Sequence, residues 1–329
     1  MIIKDKIKIL MLGKPGGNLV RTYEWHIEAL NNDIDKRFEV DDIYDLKNTV
    51  DIVKYDIFWF YAKAFHPNLY YQIKNSRPDA KIICGPNVLL DKPDIGPNDE
   101  WDMWYVNECL PDIHLDQVVF YSNHVKKFLR KELKEKARCL DKCMKIEDSL
   151  FVPNQKKVYD CLLYSKKRRY DIKFESFRDN LINLLNKEKI NFFEIKAGTF
   201  GSYEREDYFD ALNKSKVTIS LSLDECPGIL NYESMFFNVP VIGSKNNVPI
   251  NSCPELYVKE SDYMTEKYLV RTDDAAQKYF NKLKEFLSGK IKKVNHREFI
   301  KNHTDFQRFC NNVYDLLAKD LNITFQVSA

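Results

Sequence analysis

Short apolar runs alternate with stretches of helical period along most of this chain, and this alternation constrains the fold more than any other feature. In the first half, the apolar runs predict strands at residues 7–12, 56–61, 81–84 and 117–121. The intervening stretches predict helices at residues 21–30, 67–75 and 123–136. Short apolar strands separated by helices are typical of a parallel sheet that is covered on both faces. The sequence therefore predicts an α/β fold.

The pattern breaks at residues 151–154, a segment that contains Pro153, and then starts again. Strands are predicted at residues 157–164, 191–196 and 217–221, and helices at residues 174–188 and 203–215. Two successive parallel-sheet domains are therefore expected, the first over residues 1–152 and the second over residues 153–303. Beyond Pro254 the chain becomes helical, with long amphipathic stretches at residues 273–287 and 304–321.

Composition excludes several classes of protein. The chain has 329 residues, of which 44% are apolar, which is enough to build about two packed domains. A formal net charge of only +2 argues against a nucleic-acid-binding protein held by a broad positive field. The eight cysteines are scattered without the spacing of a zinc finger, so we expect a reduced, cytoplasmic protein.

The hydropathy pattern predicts no membrane span, because no apolar run approaches the roughly 18 residues that a span requires. Charged residues interrupt the N-terminal stretch from Met1 to Lys6, so no signal peptide is expected. Peripheral contact with a membrane through a basic or aromatic surface is left open.

Two carboxylates, Glu225 and Glu233, are separated by seven residues around a predicted strand-to-helix junction. The strand at residues 217–221 precedes them, and Gly228 opens the helix that carries Glu233. A helix N-terminus with a glycine favours anions, because its backbone N–H groups and the helix dipole both point outward. A carboxylate one turn further along the helix can instead accept hydrogen bonds from hydroxyl groups. The combination favours a nucleotide-sugar as ligand.

This segment resembles the Glu-x7-Glu signature of retaining GT-B glycosyltransferases, in particular glycosyltransferase family 4. The matching positions are Ser222, Glu225, Gly228, Glu233 and the helix stop Asn238-Val239-Pro240-Val241. Asn238 replaces the usual glycine, and Asn is the residue after Gly that best adopts a left-handed helix terminus. The resemblance implies two Rossmann-like domains facing a cleft. It also implies a C-terminal helix, residues 304–329, that packs back on the N-terminal domain.

The resemblance also implies an activity, which is transfer of a sugar from a nucleoside-diphosphate sugar to a hydroxyl acceptor with retention of configuration. The acceptor would be a glycan or glycoconjugate. Glu225 would touch the donor sugar and Glu233 the ribose. The N–H groups of Gly228, Ile229 and Leu230 would hold the diphosphate. No cofactor or metal is implied beyond the donor itself.

A basic run follows the first strand of the second domain, and its members are Lys166, Lys167 and Arg168. In an open parallel sheet, ligands bind beyond the carboxyl ends of the strands. These cations are therefore candidates for stabilising the negative charge of a leaving diphosphate. The alternative is a solvated basic loop, and the run does not indicate which side chain faces the diphosphate.

Three further loops carry candidate residues. Gly16 and Gly17 follow the first strand and either face the donor or form a plain turn. His66 is either presented to the donor sugar, as the resemblance implies, or is a surface histidine. Thr199 and Phe200 either flank the base or belong to a generic loop.

Two alternatives to a glycosyltransferase stay open at the level of sequence. One is a GT-B enzyme of another class, such as a sugar-nucleotide epimerase or a phosphorylase. The other is a non-catalytic partner subunit. Asp33-Ile34-Asp35 matches the Asp-x-Asp pattern of metal-dependent glycosyltransferases, but no strand precedes it, so a solvated turn is predicted.

Overall fold

The computed structural model describes most of the chain. The described residues are 3–4, 6–13, 19–43, 51–61, 67–86, 114–121, 131–167, 171, 173–198, 201–222, 228–244, 254–258, 271–291, 295–321 and 323–325. The chain divides into two compact units, Met1–Lys145 with Asn302–Ala329, and Ile146–Lys301. The domain limits expected from the sequence stay predictions.

Unit 1 contains a six-stranded parallel sheet with strand order β3-β2-β4-β5-β6-β7. These strands are β2 (Ile7–Gly13), β3 (Phe38–Ile43), β4 (Ile57–Tyr61), β5 (Lys81–Cys84), β6 (Gln117–Phe120) and β7 (Ala137–Cys139). A separate parallel pair joins β1 (Ile3–Lys4) to β13 (Thr324–Phe325). Every residue of β4 is buried, as expected for a strand covered on both faces.

The described helices of unit 1 are α1 (Leu19–Asn31), α2 (Pro67–Ser76), α3 (Lys131–Glu135) and α9 (Phe306–Asp315). Helix α9 packs on α1, because the Phe309 ring stacks on the imidazole of His26 with 4.2 Å between ring centres. The Cys310 thiol also donates to the carbonyl oxygen of Ala29 at 3.1 Å. The C-terminal segment is thus part of the core of unit 1.

Unit 2 contains a five-stranded parallel sheet with strand order β12-β11-β10-β8-β9. Its strands are β8 (Cys161–Lys167), β9 (Phe192–Gly198), β10 (Thr218–Ser220), β11 (Val241–Ser244) and β12 (Tyr257–Val258). Its helices are α4 (Phe174–Lys187), α5 (Arg205–Lys214), α6 (Ile229–Phe236) and α7 (Ala275–Leu287). Helix α8 (His296–His303) contains the boundary between the two units.

The predicted α/β class with two parallel-sheet domains is confirmed, but single elements differ. Strand β8 begins at Cys161, later than predicted, because Lys157 and Val158 lie outside the ladder and only Tyr159 forms an isolated bridge, to Ser215. The helix predicted at residues 304–321 is shorter, since α9 ends at Asp315 and a π-helical turn (Leu316–Asp320) follows. None of the described helices is long and apolar enough to cross a bilayer.

Candidate anion-binding site

Gly228 is the N-cap of helix α6, with an extended backbone of φ −65° and ψ 140°, and a glycine has no side chain with which to cap the helix. In a parallel βαβ unit, the first turn of the helix lies near the carboxyl ends of the strands. The amide of Asn231 bonds to the carbonyl oxygen of Gly228 at 3.0 Å. The earlier N–H groups, of Gly228, Ile229 and Leu230, precede the point at which intrahelical acceptors begin. This end of α6 is therefore a place where an anion can be bound.

Asn238 terminates helix α6 at its C-terminal end. Asn238 adopts the left-handed conformation with φ 56°, as the sequence predicts. The amide of Asn238 bonds to the carbonyl of Met235 at 2.9 Å, and the amide of Val239 to that of Ser234 at 3.0 Å. This pair of bonds is a Schellman motif. It fixes the length of α6 between β10 and β11.

Two contacts hold α6 against its neighbours. The hydroxyl of Tyr208 on α5 donates to the carbonyl oxygen of Leu230 at 3.0 Å. The hydroxyls of Thr218 on β10 and Ser234 share a hydrogen bond of 2.6 Å. Burial, followed by the nearby Glu233 carboxylate, raises the pKa of Tyr208, so Tyr208 stays a neutral donor. The first turn of α6 is thus held in a fixed position.

Glu233 lies in the second turn of α6, and its side chain is completely buried. The Arg205 guanidinium donates to Glu233 Oε1 through Nη2 at 2.6 Å. Arg205 is 37% exposed and lies over the Phe209 ring, 4.6 Å from its centre. A buried carboxylate is costly unless it is paired, so Arg205 compensates the charge of Glu233. Sequence reasoning missed Arg205, because it lies 28 positions away on another helix.

The two described lysines of the basic run point to opposite faces of the sheet. Lys167 is ion-paired with Glu175 in the first turn of α4. Because side chains alternate along a strand, Lys166 lies on the other face together with Tyr164. Leu163, on the same face as Lys167, packs against α4. The connections through α4 and α5 cross the sheet in opposite directions, so with right-handed crossovers α5 covers the other face, that of Lys166. Of the two lysines, Lys166 therefore shares a face with α5, whose Arg205 contacts Glu233.

A buried ion pair that the sequence did not reveal lies at the same edge of the sheet. The guanidinium of Arg271 bonds to the carboxylate of Asp171, with Nη2 to Oδ2 at 2.8 Å. The same nitrogen donates to the carbonyl oxygen of Leu221, directly after β10. Both charged side chains are buried. Their partnership spans 100 positions, too far for any local pattern to predict.

Several predicted site residues lie outside the described residues. These are Glu225, His66, Gly16, Gly17, Thr199, Phe200 and Arg168. The described members are those of helix α6, namely Gly228, Ile229, Leu230 and Glu233, and the two lysines of strand β8. Their proposed contacts with a donor stay predictions.

The solvated turn predicted at Asp33-Ile34-Asp35 is wrong for Asp33. The Asp33 side chain is buried and receives Arg37 Nε at 2.8 Å and Nη2 at 2.6 Å. Burial raises the pKa of Asp33, but hydrogen bonds from Arg37 outweigh burial and lower the pKa overall. Asp35 does stay exposed. Within the described ranges, no group of three or more His, Cys, Asp or Glu side chains could hold a metal ion.

No protein-family model matches the chain, and no curated protein sequence matches it. Solved structures do match. The pneumococcal O-GlcNAc transferase GtfA, in complex with UDP and GlcNAc, has a TM-score of 0.56 at 10% identity, over 92% of this chain and 60% of GtfA. An α-glucosyltransferase, in complex with UDP and a 13-mer DNA, has a TM-score of 0.53 at 12% identity, over 95% of this chain and 100% of the other. Sucrose-phosphate synthase from Thermosynechococcus elongatus has a TM-score of 0.58 at 13% identity, over 97% of this chain and 100% of the synthase.

The likeness to these structures is a likeness of fold. This chain spans less than two thirds of GtfA, and sequence identity to all three is 13% or lower. The predicted GT-B class is confirmed at this level. Membership of glycosyltransferase family 4 stays a prediction, and so does the Glu-x7-Glu role of Glu225 and Glu233.

Proposed function

We propose that this chain is a retaining glycosyltransferase that moves a sugar from a nucleoside-diphosphate sugar to a hydroxyl acceptor. The observation that carries the proposal is the start of α6, where a glycine, Gly228, is the N-cap of the helix near the carboxyl edge of a parallel sheet. A buried carboxylate, Glu233, follows within the next turn and a half. An anion-binding helix end beside a hydroxyl acceptor suits a diphosphate that is linked to a ribose.

The likeness of fold supports a nucleotide-sugar as donor. GtfA and the α-glucosyltransferase are both named as transferases and were both solved with UDP. In the proposal, the N–H groups of Gly228, Ile229 and Leu230 bind the diphosphate and Lys166 adds positive charge. Glu225 contacts the sugar near its anomeric carbon.

The reaction needs no protein nucleophile. The bond between the anomeric carbon and the diphosphate oxygen breaks, and the acceptor oxygen forms a new bond on the same face of the sugar. The leaving phosphate takes the acceptor proton, so the products are the glycoside and the protonated nucleoside diphosphate. Fixed N–H dipoles and cations stabilise the negative charge that grows on the leaving group.

We propose a glycan or glycoconjugate as acceptor and a cytoplasmic location. The fold does not dictate the acceptor, since one solved structure of this fold is bound to DNA. The balanced charge of this chain, +2 overall, favours an acceptor other than nucleic acid.

The test is a nucleotide screen followed by a transfer assay. Melting temperatures are compared with and without UDP, GDP, CMP and dTDP, since a ligand at about 100 times its Kd stabilises by about 2.7 kcal/mol. We expect one nucleotide to stabilise the protein, and the matching nucleotide-sugar to give a product of unchanged anomeric configuration by NMR. Stabilisation by none of the four nucleotides would contradict the proposal.

One observation favours a second candidate, a non-catalytic subunit that keeps the GT-B fold. The Glu233 carboxylate is wholly covered and ion-paired with Arg205, as a purely structural carboxylate would be. A ribose reaches it only if a covering group moves. The same screen decides between the candidates, because a subunit without a donor site would bind none of the nucleotides.

A further inference from the structure

Arg271 connects two segments of unit 2 that leave the sheet at the same edge. Its guanidinium holds the Asp171 carboxylate through Nε at 3.1 Å and Nη2 at 2.8 Å. Nη2 also donates to the carbonyl oxygen of Leu221. One side chain therefore binds two chain segments that lie 50 residues apart in sequence.

Both groups that Arg271 binds follow strands that lead to residues of the candidate site. Asp171 follows strand β8 and the basic run, and Leu221 follows strand β10 and leads towards Gly228. Strands β8 and β10 are neighbours, with Ser220 opposite Tyr164 and the amide of Leu221 bonded to the carbonyl of Tyr164 at 2.9 Å. The guanidinium thus links Asp171, which follows the strand of Lys166, to Leu221 at the carboxyl end of β10.

The surroundings keep Arg271 in one orientation. Its side chain is 1% exposed and that of Asp171 is 0% exposed. The Arg271 guanidinium carbon lies 3.9 Å from the centre of the Phe177 ring on α4. Burying two charges costs more than burying apolar groups of the same size, so such a pair adds little stability of its own. What the planar fork supplies is a fixed spacing between the groups that it binds.

We propose that Arg271, with Asp171, is a positioning residue for diphosphate binding. It holds Asp171 and Leu221 at a fixed spacing, and with them the carboxyl ends of β8, which carries Lys166, and of β10, which precedes α6. This inference rests on the proposed function. It goes beyond the motif, because neither Arg271 nor Asp171 belongs to the Glu-x7-Glu segment.

The test uses Arg271→Lys, which keeps the charge but cannot bond to a carboxylate and a carbonyl with the geometry of a planar fork. Affinities for UDP and for uridine are measured by titration calorimetry or competition; if the nucleotide screen identifies GDP or dTDP instead, that nucleotide and its nucleoside replace UDP and uridine throughout. We expect UDP affinity to fall about tenfold or more, because the groups that bind the diphosphate would be displaced. Uridine has no diphosphate, so its affinity should stay nearly unchanged. If Arg271 had only a structural role, the substitution would weaken the binding of UDP and of uridine alike.

The matched control is Arg37→Lys in unit 1. Arg37 makes the same kind of bidentate pair, with Asp33, and lies over the Tyr314 ring at 4.8 Å. We expect this variant to lose a similar amount of thermal stability while UDP affinity stays within about twofold, since Asp33, Asn311 and Tyr314, which Arg37 contacts, are not among the residues proposed to bind the donor. If Arg271→Lys does not fold, Asp171→Asn takes its place with the same expected loss for UDP.

The outcomes separate this inference from the proposed function. Parent protein that binds no nucleoside diphosphate would overturn both. Parent protein that binds UDP, with Arg271→Lys or Asp171→Asn binding it equally well, would overturn the positioning role alone. An equal loss of UDP and uridine affinity would also overturn it, because the effect would then be a general loss of folding.

Discussion

At the scale of single residues, burial decides what the charged groups of this chain can do. Glu233 and Arg271 are both covered, and each has its opposite charge within hydrogen-bond distance. The motif identifies Glu233 because its spacing from Glu225 is local. It says nothing of Arg205 or Arg271, because those residues meet their partners only when separate elements pack together. Sequence therefore predicts the centre of the candidate site better than the residues that support it.

Glu233→Ala should weaken nucleotide binding by at least tenfold. A charged acceptor contributes about 1.5–3 kcal/mol per hydrogen bond, and the ribose would lose that acceptor. The measurement is a UDP titration at a temperature where the variant is folded. Glu285→Ala, which removes a half-buried carboxylate on α7 that pairs with Lys282, is the control. Equal affinity in Glu233→Ala and the parent would remove Glu233 from the donor site.

The protein should lose stability in mild acid because it buries neutral histidines. Burial, and then the charge of Lys142, lower the pKa of His26 from 6.5 to about 3, and burial lowers that of His296 to about 4. The unfolded chain binds these protons near pH 6.5, so stability falls as pH drops from there towards the folded values. The loss approaches about 1.4 kcal/mol per pH unit for each histidine.

Chemical denaturation at pH 7 and pH 5 checks this loss. The glutamine in His26→Gln cannot take up the proton, so the free energy of unfolding should differ less between pH 7 and pH 5 than it does in the parent. His114→Gln, the same change at an exposed histidine, is the control. An unchanged difference in His26→Gln would show that His26 does not carry the effect.

At the scale of elements, the buried strands and the stop of α6 were predictable, and the edges were not. Strand β4 is apolar at every position, so its sequence predicts a strand that is buried on both faces. Strand β3 lies at the edge of its sheet and carries Glu39, Asp41 and Asp42, so it was not predicted. Two of its apolar residues, Phe38 and Val40, are buried by the packing of α1 and of the rest of the sheet.

Asn238→Ala should destabilise the fold by about 1–2 kcal/mol, because alanine lacks the short polar side chain that lets asparagine tolerate the left-handed region. The Asn238 side chain also accepts the amide of His296 at 3.1 Å, and alanine loses that bond. Urea denaturation measures the effect. Asn238→Gly removes the same hydrogen bond without the strain, so it should cost less than Asn238→Ala. Equal costs for the two variants would mean that backbone strain is not the cause.

At the scale of the whole molecule, the alternation of strands and helices was enough to predict two parallel-sheet domains. The donor, the acceptor and the metal requirement depend on side chains at loop ends, where local patterns are weakest. Lys166 illustrates this limit. The sequence does not indicate which cation of the basic run faces the diphosphate, whereas the alternation of side chains along β8 places Lys166 and Lys167 on opposite faces of the sheet.

Turnover should continue in the presence of EDTA. Backbone N–H groups and cationic side chains are proposed to bind the diphosphate, so no divalent ion is needed to offset its charge. The measurement is transfer from the donor identified in the nucleotide screen, with and without chelator. Complete loss of turnover, restored by manganese or magnesium, would contradict the proposed metal-independent mechanism.

The division of unit 1 into two stretches of chain affects how the protein is made. Helix α1 emerges from the ribosome early, but Phe309 and Cys310, which pack on His26 and Ala29, follow after all of unit 2. Unit 2 is one continuous stretch and can fold while synthesis continues. Until α9 has been synthesised, α1 lacks its packing partner. The nascent chain therefore presents an apolar surface that a chaperone would recognise.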